Sequence, residues 1–216
     1  MKIFAVLISA FVLLFGLAGA ANAYSINYNY TASGNDFTSP YYATVEDFEG
    51  ALAWNWAGSY AVVSGSLEGK YAAPAGVDGV NKDASKYVTV PNPEGGASGS
   101  VLVTGLPTSN YFGLWWGSMD TYNTLTFYLD GVATGESVTG SDVTDGGMAN
   151  GAQTGPVTNH YVNFLDLKPY NSFRMSSSQF AFEADNIAIG VVPEPLTLIL
   201  LGSGLLGLFG LRRKIS

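Results

Sequence analysis

The chain of 216 residues contains no cysteine and a single histidine, His160. Without cysteine there is no disulfide, no thiol nucleophile and no cysteine-ligated zinc site. A Ser-His-Asp triad would depend on His160 alone, and the Gly-x-Ser-x-Gly turn of many hydrolases does not occur. We therefore expect a protein that is not an enzyme, held together by its core and, if one binds, by an ion.

Basic residues are also scarce, since nine lysines and arginines stand against 17 acidic residues and give a net charge of −8. Between residues 24 and 192 lie all the acids except Glu194 and only five of the basic residues. This balance argues against nucleic acid and anionic lipid as partners, and it is compatible with cations or neutral sugars. Glycoside hydrolysis would need two facing carboxylates, but the sequence singles out no such pair.

Sustained helical periodicity is missing from residues 24–192, which we treat as one domain. Instead, Leu125, Phe127 and Leu129 alternate with polar residues, and Asp130-Gly131 then provides a turn. Other short segments rich in β-branched and aromatic residues are predicted strands: 26–30, 60–63, 86–90, 100–103, 111–116, 161–165, 173–176 and 179–183. The glycine-rich stretches 91–100 and 131–155 are predicted loops. We predict an all-β fold, a two-sheet antiparallel sandwich of jelly-roll type, with a barrel as the alternative.

The first 23 residues have the pattern of a secretory signal peptide. Lys2 precedes an apolar run over residues 3–17, and Ala21-Asn22-Ala23 fits the small-x-small site that signal peptidase cleaves. Ala18-Gly19-Ala20 is a second candidate for the cut. We expect the exported chain to begin at Tyr24.

The last 24 residues have three parts. Pro193-Glu194-Pro195 is followed by an uncharged run over residues 196–211 and by Arg212-Arg213-Lys214. As a helix the run would be only ~24 Å long, slightly short for a bilayer core of ~30 Å, but the terminal basic residues can reach the headgroups. The positive-inside bias places those basic residues in the cytoplasm, so we predict a transmembrane segment with residues 24–192 on the other side.

This three-part tail resembles the PEP-CTERM sorting signal of exosortase-dependent bacterial surface proteins. The resemblance implies that exosortase recognises the tail in the inner membrane and removes it, and that the protein then reaches the cell surface or extracellular matrix. The alternative is an ordinary single-pass anchor that stays attached. The run Tyr111-Phe112-Gly113-Leu114-Trp115-Trp116-Gly117 is similar to a family of such surface proteins from environmental bacteria. This resemblance brings no activity with it; our own prediction is a structural function together with exopolysaccharide, and a carbohydrate-binding adhesin is the alternative.

Two acidic segments resemble the first and last strands of jelly-roll carbohydrate-binding modules, where the two strands share a structural calcium ion. They are Phe48-Glu49-Gly50 and Asp185-Asn186-Ile187. The resemblance makes Glu49 and Asp185 the candidate Ca²⁺ ligands, with Glu183 and Asp47 behind them, since Ca²⁺ takes carboxylate and backbone oxygens. The alternative is that Glu49 and Asp185 lie apart and hydrogen-bond locally.

Four tryptophans are candidate sugar contacts. Trp54 and Trp56 share a parity, whereas Trp115 and Trp116 are adjacent and would point to opposite faces of a strand. An exposed indole can stack on the apolar face of a sugar ring. Packing of all four tryptophans between the two sheets is the other interpretation, and we favour it.

Overall fold

The computed structural model describes residues 25–29, 39, 41, 43–76, 81–144 and 147–192. Those residues form short strands and one 3-10 helix, Gly140–Asp142. The strands are β1 Ser25–Asn29, β2 Thr44–Glu46, β3 Asn55–Gly58, β4 Ala61–Val63, β5 Tyr87–Val90, β6 Gly99–Thr104, β7 Tyr111–Gly117, β8 Asn123–Leu129, β9 Val132–Thr139, β10 His160–Leu165, β11 Ser172–Ser177 and β12 Phe182–Gly190. Among these residues no helix is long and apolar enough to cross a membrane. The predicted signal peptide and tail, 1–23 and 193–216, lie outside the described residues.

The strands form two antiparallel sheets. The larger has seven strands in the order β1-β10-β7-β12-β5-β4, and β2 pairs with β12 beside β5. The smaller has five strands in the order β3-β6-β11-β8-β9. The predicted all-β fold with two antiparallel sheets is thereby confirmed.

Aromatic side chains fill the space between the sheets. On β8 the predicted alternation holds, because Leu125 and Phe127 are buried while Thr124 and Thr126 are only partly buried. The ring of Phe112 on β7 meets the rings of Phe127 and Phe173, with centroids 5.3 and 4.8 Å away. Alternating strand residues from both sheets thus supply one continuous core.

Strand β7 is buried on both faces, which distinguishes it from β8. Trp116 belongs to the core between the sheets and stacks on Phe182, with centroids 4.3 Å apart and planes 5° from parallel. Trp115 points to the other face, where it is only 2% exposed. Trp115 and Trp116 thus point to opposite faces, as predicted, and both are buried.

Two boundaries differ from the prediction. The stretch 131–155, predicted as a loop, begins with β9, which pairs with β8. The turn between them is the predicted Asp130-Gly131, and both residues have positive φ, 50° and 80°, as a tight hairpin requires. The last strand begins at Phe182 and continues to Gly190, beyond the predicted segment 179–183.

Replacing Trp116 by alanine should strongly destabilise the fold. Trp116→Ala removes a fully buried ring from the centre of the core, and such changes cost about 3–5 kcal/mol. Urea unfolding of the full chain measures the loss. Val132→Ala is the control, because that side chain is 71% exposed and should change the free energy of unfolding by less than ~0.5 kcal/mol. Equal stability of the two variants would contradict the packing described.

Candidate functional site

The pairing of β12 is interrupted next to Asp185. Residues 182–184 pair with β5, and residues 187–189 pair with β2. Between these segments the register against β7 shifts, and Asn186 takes a positive φ of 49°. A bulge of this kind re-aims side chains. The loop before β5, which contains Ser85, lies against this interruption at Asp185.

A second carboxylate, Asp83 in that loop, lies beside Asp185. Ser85 joins them, because its hydroxyl donates to Oδ1 of Asp83 and approaches Oδ2 of Asp185 at 3.3 Å. The Asn186 amide also donates to Oδ2 of Asp185 (3.0 Å). Burial, and then the neighbouring Asp83 carboxyl, raises the pKa of Asp185 to about 9. The Oδ2 atom of Asp83 and the Oδ1 atom of Asp185 are buried without a hydrogen-bond partner.

Glu49, the other candidate calcium ligand, is exposed and accepts a hydrogen bond from the Lys86 backbone N–H (2.6 Å). Asp47 is also exposed, and its Oδ1 accepts from the Glu49 N–H (3.1 Å). The carboxyl beside Asp185 in the structure is thus Asp83, while Glu49 contacts the residue that follows Ser85. Across the described part of the chain, no group of three or more histidine or acidic side chains could hold a metal. The predicted calcium site stays a prediction.

Glu46, at the end of β2, has a structural role that the sequence did not indicate. It is 3% exposed, and its two oxygens accept from the backbone N–H groups of Phe48 (3.0 Å) and Ala53 (2.6 Å). A buried carboxylate that accepts two backbone N–H groups fixes the loop that contains Glu49.

Glu183, the third acidic candidate, is also a buried structural carboxyl. Its oxygens accept from the Ala72 N–H (2.9 Å) and the Ser118 hydroxyl (2.7 Å). Burial raises the pKa of Glu183 to about 7, although both hydrogen bonds oppose the rise. Because both oxygens are engaged and the residue is 2% exposed, Glu183 does not present a free carboxyl to a ligand.

A polar cleft of about 230 Å³ opens over Glu183. The Tyr122 hydroxyl donates to the backbone carbonyl of Phe180 (2.8 Å), and the Lys70 ammonium lies 4.3 Å from the centre of the Phe180 ring. Side chains that can donate or accept hydrogen bonds line the rest: Ser118, Asp120, Asn150 and Gln153. The cleft is smaller than the ~300–1,000 Å³ typical of drug-sized ligands, so it suits a small polar group.

Asn159 holds the walls of this cleft together. Its Oδ1 accepts from the N–H groups of Ala75 (3.1 Å) and Ser118 (2.9 Å). Its amide donates to the carbonyls of Ala152 (2.9 Å) and Gly155 (3.1 Å). One fully buried side chain thus joins three loops. Nothing near Asn159 in the sequence distinguishes it from an ordinary loop residue.

The four tryptophans are packed with other side chains. Trp115 and Trp116 are buried as described, and Trp54 is 8% exposed with its ring against Phe173. Trp56 is half-buried, and its ring meets Phe48 at 5.4 Å. This packing argues against stacking of sugars on these rings and favours their role in the core.

His160, the first residue of β10, is 1% exposed. Its Nδ1 lies 2.8 Å from the Pro156 carbonyl oxygen, and its Nε2 lies 3.0 Å from that of Val143. With both ring nitrogens on backbone carbonyls, the imidazole is not placed to act as a base on a substrate.

The chain leaves the sheet directly after β12. Gly190, the last residue of the strand, accepts from the Asn110 N–H (3.0 Å). The Asn110 side chain then holds Val192 in both directions, donating to its carbonyl (2.9 Å) and accepting from its N–H (2.8 Å). The exit of the C-terminal segment is therefore fixed by one asparagine.

Residues 191–214, which begin at this exit, match the PEP-CTERM protein-sorting motif. The domain is thus an all-β, two-sheet unit joined at its last strand to a sorting signal. The chain is a protein with a PEP-CTERM sorting motif, as the resemblance implied, and the motif supports exosortase-dependent sorting to the cell surface.

No curated protein sequence matches the chain. Among solved structures, the catalytic unit of thermostable GH87 alpha-1,3-glucanase from Streptomyces thermodiastaticus strain HF3-3 is similar over 71% of this chain, with 16% identity and a TM-score of 0.38. The chain spans 27% of that protein's length. A TM-score of this size establishes neither a shared fold nor a shared activity.

Asn159→Asp should destabilise the protein, because the new carboxylate would face the carbonyls of Ala152 and Gly155 without a proton to donate. Losing buried hydrogen bonds and burying a charge should cost about 3 kcal/mol, roughly 6–12 °C in melting temperature. Asn92→Asp is the control, since an aspartate can still accept from the Glu94 N–H. Thermal melting of the full chain distinguishes the two, and equal midpoints would contradict the role of Asn159.

Proposed function

We propose that the chain is an exported bacterial surface or matrix protein, sorted by exosortase and acting structurally together with exopolysaccharide. The observation that carries the proposal is the sorting motif at residues 191–214, which begins one residue after the last strand. A folded domain followed immediately by such a motif is well suited to delivery outside the cell.

A non-catalytic, structural role is supported by how the reactive side chains are used. Both oxygens of Glu183 and both ring nitrogens of His160 are engaged by backbone or hydroxyl groups. The large aromatic side chains, Trp115 and Trp116 among them, are buried rather than displayed. These groups stabilise the domain.

The segments at both ends complete the proposal. Signal peptidase removes residues 1–23, and the apolar run 196–211 holds the chain briefly in the inner membrane, with Arg212, Arg213 and Lys214 in the cytoplasm. The domain between them is proposed to be a sandwich of jelly-roll type. Exosortase then acts at Pro193-Glu194-Pro195.

The alternative function is that of a carbohydrate-binding surface adhesin. The observation in its favour is the polar cleft over Glu183, where the half-buried Phe180 ring stands among hydrogen-bonding side chains. Sugar sites commonly combine an aromatic ring with polar groups. This cleft, and not the tryptophans, is the place where a neutral glycan would bind.

Replacing the motif Pro193-Glu194-Pro195 by three alanines should block processing. We expect the variant to stay in the membrane fraction with its tail attached, while the parent chain reaches the surface or matrix. Cell fractionation, with mass spectrometry of the C-terminus, measures the difference. Asp166→Asn, an exposed change outside the motif, should be processed normally. Normal release of the alanine variant would overturn exosortase-dependent sorting.

Phe180→Ala tests the adhesin alternative. If the cleft binds glycan, loss of its ring should weaken retention on immobilised exopolysaccharide on the order of tenfold, or ~1.4 kcal/mol. Val132→Ala, on an exposed strand residue of the smaller sheet, is the control. Unchanged retention of Phe180→Ala would exclude the cleft and leave the structural function.

A further inference from the structure

We infer that Asp83 and Asp185, with the hydroxyl of Ser85, form a binding site for one hard divalent cation, best suited to calcium. The site lies at the interruption in the pairing of β12, between the segments that contact β5 and β2. It shares Asp185 with the site predicted from the sequence, but it takes its second carboxylate from the loop before β5.

Two carboxylate oxygens of the site, Oδ2 of Asp83 and Oδ1 of Asp185, lack a hydrogen-bond donor. Asp83 is 7% exposed and Asp185 is 1% exposed, and each has one buried carboxylate oxygen without a hydrogen-bond partner. Buried polar atoms are nearly always satisfied, so these two adjacent carboxyl groups need either a shared proton or a cation between them. The remaining oxygens are held by Ser85 and Asn186, which fixes both carboxyl groups in place.

Asp83 and Asp185 bring two acidic groups together in a buried place. Two buried carboxylates in contact repel each other unless a positive charge or a proton lies between them. The Asp83 carboxyl, the Ser85 hydroxyl and the Asn186 amide interact with Asp185, and none of these three groups is positive. A divalent cation would neutralise both carboxylates at once.

The donor atoms of the site determine which ion it suits. The available donors are all oxygens, and Ca²⁺ takes six to eight oxygen ligands with flexible geometry, whereas Mg²⁺ demands a near-ideal octahedron. Two carboxylates and a hydroxyl supply part of such a set, and backbone carbonyls or water supply the rest. The chain has no cysteine, and His160 is engaged elsewhere, so softer metals lack their preferred ligands.

A terbium titration tests the site directly, because Tb³⁺ replaces Ca²⁺ and emits when a nearby indole transfers energy to it. Trp115 lies directly opposite Asp185 in the register of β7 and β12. In the full chain, purified in mild detergent, excitation of tryptophan should give Tb³⁺ emission that Ca²⁺ suppresses. Emission should fall at least tenfold in Asp185→Asn and in Asp83→Asn. It should remain in Asp166→Asn, which removes the same charge from an exposed position.

Thermal melting of the same samples provides a second readout that does not need the variants to fold. Calcium at a hundredfold excess over its Kd should raise the midpoint of the parent chain by roughly 5–10 °C relative to chelator. Asp166→Asn should show the same rise. Identical melting with calcium and chelator, together with emission that persists in both Asp83→Asn and Asp185→Asn, would overturn the site and leave a proton shared by the two carboxyls.

Discussion

The antiparallel pairing of β7 with β12 is the interaction on which the larger sheet depends. β10 joins the sheet through β7, and both β5 and β2 join it through β12. The two strands also send Trp116 and Phe182 into the core, while Trp115 and Asp185 lie on the opposite face. A slip of one residue would exchange these faces and bury an acid among aromatic rings, so the packing on both sides fixes the register.

With no disulfide available, single polar side chains that bind backbone groups do much of the work of joining the loops. Glu46 fixes the loop after β2, Glu183 joins the segments at Ala72 and Ser118, and Asn159 connects the walls of the polar cleft. Each of these side chains is buried, and each accepts hydrogen bonds from backbone N–H groups that would otherwise need a partner on a neighbouring strand. The polar cleft and the Asp83–Asp185 pair therefore arise from how these loops are attached to the larger sheet.

The sequence was informative where local pattern decides the structure. The alternation around Phe127 and the Asp130-Gly131 dipeptide correctly predicted one strand and the turn that follows it, because period and turn chemistry are local properties. The glycine-rich composition of residues 131–155 did not indicate β9, because that strand is stabilised by its pairing with β8. The pairing of Asp83 with Asp185 was out of reach, since Ser85 and Asp185 are 100 positions apart and meet only through strand order.

The way in which the tail leaves the domain has a mechanical consequence. A force on the C-terminal segment acts first on Val192, whose backbone N–H and C=O are both hydrogen-bonded to the Asn110 side chain. From there it is transmitted to β12. That end of the strand is hydrogen-bonded to β7 on one edge and to β2 on the other. The load would therefore act along the strand and strain many hydrogen bonds together. A domain tethered at a cell surface by this end is held by its interior strand rather than by one that could be peeled away.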